Sequence, residues 1–215
     1  MADGYHYKRM VLRDTAHQPG PAGGVVLLGS DVDNPLHRVE LIARAGRWPL
    51  LDSNEDAPDA SYRCFRMWGA APGLWMKYLE DVVSRTSVLV MFGEDLFQVE
   101  ELSRRVLLLF QLHPYSREEL LSGPGQTEGR EKARAILRVA LAMGEDFDPE
   151  LFGVISDASR DPDPQVRSAA AWSTVHLECA QSVAMLSDIA QNDPDEAVRN
   201  SAAEMLTEFQ RGNQE

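Results

Sequence analysis

Two stretches decide how the second half of this chain folds: Asp161-Pro162-Asp163-Pro164-Gln165-Val166-Arg167-Ser168-Ala169-Ala170-Ala171 and Asp193-Pro194-Asp195-Glu196-Ala197-Val198-Arg199-Asn200-Ser201-Ala202-Ala203. They lie 32 residues apart, and Asp, Pro, Asp, Val, Arg and two Ala recur at matching places. Each follows an apolar stretch of helical character, 151–158 and 183–190, with Ser-Asp near its end. A fixed period of this size, with one helix pair per unit, signals a stacked-repeat architecture. Asp163 and Asp195 can each serve as an N-cap, the carboxylate accepting from free amides of the first turn. Pro164 suits the first helical position, where no amide donor is needed. Val166 and Val198 then face inward, and the Ala pairs let neighbouring helices approach closely. Asp148-Pro149-Glu150 makes a similar start for a helix at the front of the array.

The string Asp-Pro-Asp-x-x-Val-Arg-x-x-Ala-Ala resembles the second helix of HEAT-like repeats of the phycobilisome-lyase type, over residues 148–209. The resemblance implies a curved scaffold of helix pairs, and an interaction module rather than a lyase. It also implies a structural part for Arg167 and Arg199, pairing with acids of an adjacent turn, ahead of contact with a partner. About three units are needed to bury a continuous core, and only two are explicit. Residues 128–143 supply a helix of a preceding unit without the Asp-Pro-Asp start, with Ala133-Arg134 near the Val-Arg position. The N-terminal part is expected to pack against the array and cap it. The units diverge where one has Trp172 and the other Glu204. A core or inter-domain anchor is the expected role of this Trp, and a partner hot spot is the minority reading. The candidate binding residues are therefore Trp172, Arg167, Arg199, Asp163, Asp195 and Glu204.

Upstream the pattern changes. Residues 5–13, 25–28, 37–43 and 62–68 read as strands, the first two separated by a Pro- and Gly-rich loop at 18–24. A polar loop is expected over 52–60, and a helix after Pro72-Gly73 from 74 to 83. Residues 87–92 read as a buried strand closed by Gly93. Glu94 and Asp95 then open a helix over 96–112, acids at its positive end, and His113-Pro114 stops it. Ser116 with Glu119 has capping-box spacing, and Ser122-Gly123-Pro124-Gly125 reads as the domain hinge. The fold class is α+β: a mixed α/β domain over 1–122, then antiparallel helix pairs forming a short α-solenoid over 126–215. Aromatics concentrated between 48 and 78 are expected to form the N-terminal core, the alternative being an exposed aromatic groove.

The chain's 34 acidic and 21 basic residues give a net charge of −13 and a pI near 4.8. Residues 141–215 hold fifteen acids and four arginines, a net of −11, leaving −2 for the rest. Such a field repels phosphate backbones and anionic lipid, so the expected partner is another protein, basic in character, and neither nucleic acid nor a membrane. Two distant cysteines, Cys64 and Cys179, give no disulfide framework. With no apolar signal core at 1–6, and a longest apolar run of only 106–110, the expectation is a cytoplasmic protein.

No catalytic constellation emerges. The Asp31-Val32-Asp33 pair after 25–28 resembles a phosphatase strand end, but the aspartates come late and Pro35 follows, so a polar turn is expected. Residues 123–130 lack the Lys-Ser/Thr of a phosphate loop. The five histidines share no ligand spacing, and no nucleophile elbow is present. No metal, cofactor or enzymatic activity is expected. The sequence points to a protein-binding scaffold with an acidic HEAT-like surface, in one version an immunity- or antitoxin-like inhibitor of a basic bacterial protein. The alternative is a small-molecule enzyme or lyase-like chaperone with a pocket in the N-terminal domain.

Overall fold

Alternation of core-facing and outward side chains carries the first part of the chain into a sheet, and the 3.6-residue period carries the remainder into paired helices. The computed structural model describes residues 5–13, 35–54, 62–81, 83–84, 86–110, 112–143, 147–177 and 179–212. Two compact units result, Met1–Tyr115 and Ser116–Glu215, each taken by itself below.

In the first unit the strands are β1 (His6–Val11), β2 (Leu50–Ser53), β3 (Tyr62–Ala71), β4 (Leu74–Asp81) and β5 (Ser87–Gly93), with helices α1 (Pro35–Ala45) and α2 (Leu96–Phe110). The strands form one sheet in the order β1-β5-β4-β3-β2, every neighbouring pair antiparallel. Register places Met10, Leu89 and Tyr78 on one rung and Met91, Met76 and Trp68 on another. These side chains form one buried cluster with Val39, Ile42 and Ala43 of α1 and Val99, Leu102 and Val106 of α2. The buried Tyr78 hydroxyl is matched to Ser87 Oγ at 2.8 Å, which removes the cost of an unpaired polar group in the core. On the opposite face Tyr7, Phe92 and Trp75 share a rung, their rings stacked at 5.6 and 5.4 Å. The aromatic-rich stretch is thus divided: Trp68, Met76 and Tyr78 are core, whereas Trp75 joins the outer stack.

Two expected elements are of the other type. Residues 37–43 are helix, not strand: Pro35 sits in the first turn, and Val39, Ile42 and Ala43, at i, i+3 and i+4, make one buried face. Residues 74–81 are strand, not helix. Pro72-Gly73 is the hairpin turn between β3 and β4, and Gly73 adopts φ 70°, a region open to glycine. Core-facing Leu74, Met76 and Tyr78 then alternate with period two, a pattern blurred because Leu79 on the other face is also buried. Gly93 must be glycine, since a Cβ there would stand 2.6 Å from the Gly73 carbonyl oxygen. The expected strand 25–28, the loop 18–24 and the Asp31–Asp33 turn lie outside the described residues, as does most of the loop after Ser53.

The second unit begins with α3 (Arg117–Ser122), whose Ser116 and Glu119 form the capping box that their spacing requires. The Ser122-Gly-Pro-Gly stretch does not open into a linker. A 3-10 turn, Gly123–Gln126, follows α3 directly and buries Pro124. Then come α4 (Gly129–Ala142), α5 (Pro149–Ala158), α6 (Pro164–Ser173), a 3-10 turn at Thr174–His176, α7 (Ala180–Asn192) and α8 (Glu196–Gly212). Helix α3 packs with α4, α5 with α6 and α7 with α8, while α4, α6 and α8 pack in succession. Helix α4 packs on α6 as α6 packs on α8, and so extends the array by one preceding helix. Val166, Ala170, Val198 and Ala202 are buried at the helix crossings.

Candidate functional site

Each Asp-Pro-Asp sequence folds in the same way. Its first aspartate accepts the amide of the second, Asp163 N–H to Asp161 at 2.9 Å and Asp195 N–H to Asp193 at 2.9 Å. The second caps the helix: Asp163 accepts from Gln165 at 2.8 Å, and Asp195 from Ala197 and Val198 at 2.9 and 3.2 Å. Asp148 caps α5 through Glu150 and Leu151. The first aspartate also receives a cation from the preceding unit. Arg167 is 7% exposed and donates from Nε and Nη2 to the two carboxylate oxygens of Asp193 at 2.8 and 3.0 Å. Its Nη1 donates to the carbonyls of Asp161 and Pro162, so one guanidinium ties two successive loops together. Lys132 of α4 repeats the contact one unit earlier, its Nζ 2.6 Å from Asp161. Arg199 donates to the Asp193 carbonyl at 2.6 Å.

Lys132, Arg167 and Arg199 each occupy the fourth position of their helix. In α4 the equivalent cation is therefore Lys132, not Arg134, which pairs locally with Glu131. Burial pushes the Asp193 carboxyl up, but the Arg167 guanidinium and the Asp195 amide outweigh it and hold it below the ordinary carboxylate range. The same balance holds Asp161 low, with Lys132 and the Asp163 amide as its donors. This end of the array is satisfied internally, and Arg167, Asp163 and Asp195 act there as framework.

The other ends of these helices differ. Trp172 is not in the core: it is 41% exposed at the end of α6, beside Val175 at 42%. With Val183 of α7 and Met205 and Phe209 of α8 they line a groove of about 1090 Å³, edged by Glu204 and Glu208. The structure thus brings Trp172 and Glu204 to one surface, while Arg167, Arg199, Asp163 and Asp195 line none of it. Val175, Val183 and Glu208 belong to the groove and were not among the sequence candidates. Glu208 carries a readable signal, one turn beyond Glu204 on the same stripe. Val175, in a 3-10 turn, carries none.

Acids elsewhere have structural work. Asp95 caps α2 by accepting from Phe97 and Gln98, and Glu119 closes the capping box. Among the described residues no group of three or more His, Cys, Asp and Glu is placed to hold a metal ion. No helix among them is long and apolar enough to cross a membrane.

Capped helix pairs stacked through a regular ladder of loop contacts define a short helical-repeat array. A family model described as HEAT repeats matches residues 128–208, and the C-terminal part of the chain accordingly consists of HEAT-like repeats. Searches among curated proteins and among solved structures returned no match.

Proposed function

We propose that this chain is a protein-binding scaffold whose HEAT-like part offers its acidic groove to a basic protein. The observation that carries the reading is Trp172, a large apolar side chain left 41% exposed beside Glu204 in a groove edged by acids. Trp is among the residues that most often carry binding energy at protein interfaces. Helical repeats serve generally as interaction surfaces. The net charge of −11 over 141–215 favours a cationic partner and speeds its approach. In its most specific form the scaffold is an inhibitor that covers a basic protein, in the manner of an immunity or antitoxin-like protein. A small-molecule pocket beneath the sheet has less support, because Met76, Tyr78, Leu89 and Met91 fill that space with side chains that are almost wholly buried.

The test is affinity capture by the intact protein, comparing wild type with Trp172→Ala at low and at high salt. The expected result is a basic protein retained by wild type, weakened by salt and lost with the variant. Equal capture by wild type and variant, or capture indifferent to salt, overturns the reading.

A further inference from the structure

We infer that the groove seats an amphipathic helix of the partner, apolar along one row and carrying two Lys or Arg residues one turn apart. This deepens the scaffold reading and rests on it. The argument starts from the stripe that α8 turns toward the groove. Met205, 8% exposed, and the partly buried Phe209 form an apolar row at i, i+4 that borders both the core and the groove, and Glu204 and Glu208 form an exposed acidic row beside it at the same spacing. Each pair spans one turn, about 6 Å along the axis. Facing the apolar row are Trp172 and Val183, more than a third exposed. A helix laid in such a groove anchors residues at i, i+3 and i+4, and its neighbouring row at the same pitch then meets both carboxylates. An extended segment points successive side chains to opposite faces, so it turns a single row toward the groove and cannot present an apolar row and a cationic row side by side.

Charge selects the sign of the second row. Glu204 makes no ion pair among the described residues, and Glu208 holds only an exposed contact with Arg211, in which both side chains are 69% exposed. An exposed pair of that kind is worth little and yields to a cation delivered by the partner. The groove, about 1090 Å³ in volume, is walled by the exposed Trp172, Val175 and Val183. The exposure of its walls makes it an open surface for side chains of a macromolecule.

The experiment uses the full-length protein and three synthetic helical peptides. One has a Leu row beside a Lys row at i, i+4, one has Glu for Lys, and one keeps Lys with Ser for Leu. Affinity is read by anisotropy of the labelled peptides. Occupancy is read by protection of Cys179, which lines the groove, against alkylation, with Cys64 of β3 as internal reference. The Lys–Leu peptide is expected to bind wild type and protect Cys179 while leaving Cys64 unchanged. Trp172→Ala is expected to weaken it roughly tenfold or more, and the Glu204→Lys/Glu208→Lys double variant to exchange its preference for the Glu–Leu peptide. Wild-type melting behaviour in the double variant keeps that reversal free of folding effects.

Equal binding of the Lys and Glu peptides, undiminished binding by the variants, or no binding at all overturns the inference. So does a wild-type dimer, seen by sedimentation without peptide, that Trp172→Ala dissolves, since the occupant is then a second copy. If a basic partner is still captured in a Trp172-dependent way while the peptides fail, the helical occupant falls and the scaffold reading stands. If that capture fails as well, both fall.

Discussion

The two ends of α6 and α8 present the same repeat in opposite conditions. At the loop end, the charged residues that the two units share have internal partners: Asp163 and Asp195 cap, and Arg167 is bound to Asp193 and two carbonyls. At the groove end, where one unit has Trp172 and the other Glu204, the side chains face outward and line an open surface. Identity between repeats therefore marks what holds the array together. Difference between repeats marks where side chains are left exposed.

The comparison breaks if the loop end is dispensable, and the largest effect is expected there. Arg167→Ala leaves the buried Asp193 carboxylate without its partner, and removing one member of a buried pair costs about 3–5 kcal/mol. Urea titration followed by circular dichroism should show the midpoint falling accordingly. The pH dependence sharpens the point. Asp193 is held below the ordinary carboxylate range, so its contribution is fully present above the unfolded value of about 3.9 and is lost as the pH falls through the lower folded value. In Arg167→Ala the acid-labile contribution is already gone. The difference between wild type and variant should narrow on going from pH 7 to below pH 4. A constant difference would mean that the guanidinium acts only through its carbonyl contacts.

A smaller effect separates two arginines that the sequence makes equivalent. Arg199 occupies the position of Arg167 but donates, among the described residues, only to the Asp193 carbonyl at 2.6 Å, and is only partly buried. Arg199→Ala should therefore cost about 1 kcal/mol, the net worth of an ordinary hydrogen bond. Comparable losses at the two positions would show that the carboxylate pairing of Arg167 adds nothing.

How much of this was legible in the sequence follows from whether a signal is local. Caps, the Pro164 start and the inward valines are local, and the repeat displays them twice, so the HEAT-like part reads directly from residues 148–209. The capping box at Ser116, the strand ending at Gly93 and the helix after Asp95 are local too. Residues 37–43 and 74–81 misled because a window of seven or eight residues fits both periods when one flank is ambiguous. Pro35 and the Pro72-Gly73 turn held the deciding information. Lys132 was missed because aligning on Val-Arg slides past it, whereas counting from the helix start aligns all three cations. The groove could not be read locally, since its walls come from α6, a 3-10 turn, α7 and α8. Trp172 and Glu204 marked it by breaking the repeat, and Glu208 by following one turn beyond.

The smallest expected effect sits at that break. Glu204 is exposed and makes no ion pair among the described residues, and surface substitutions away from caps and networks usually change stability by no more than about 0.5 kcal/mol. Glu204→Gln keeps the shape and removes one negative charge from a region of net −11, so self-repulsion falls and the midpoint in urea should stay level or rise slightly. Binding of a cationic partner should weaken at low salt and converge with wild type at high salt, where the missing charge is screened in any case. A variant that unfolds as readily as Arg167→Ala would place Glu204 in the framework and remove the contrast between the two ends. A variant stable as wild type but impaired in binding only at low salt locates the open end of the repeat at this carboxylate.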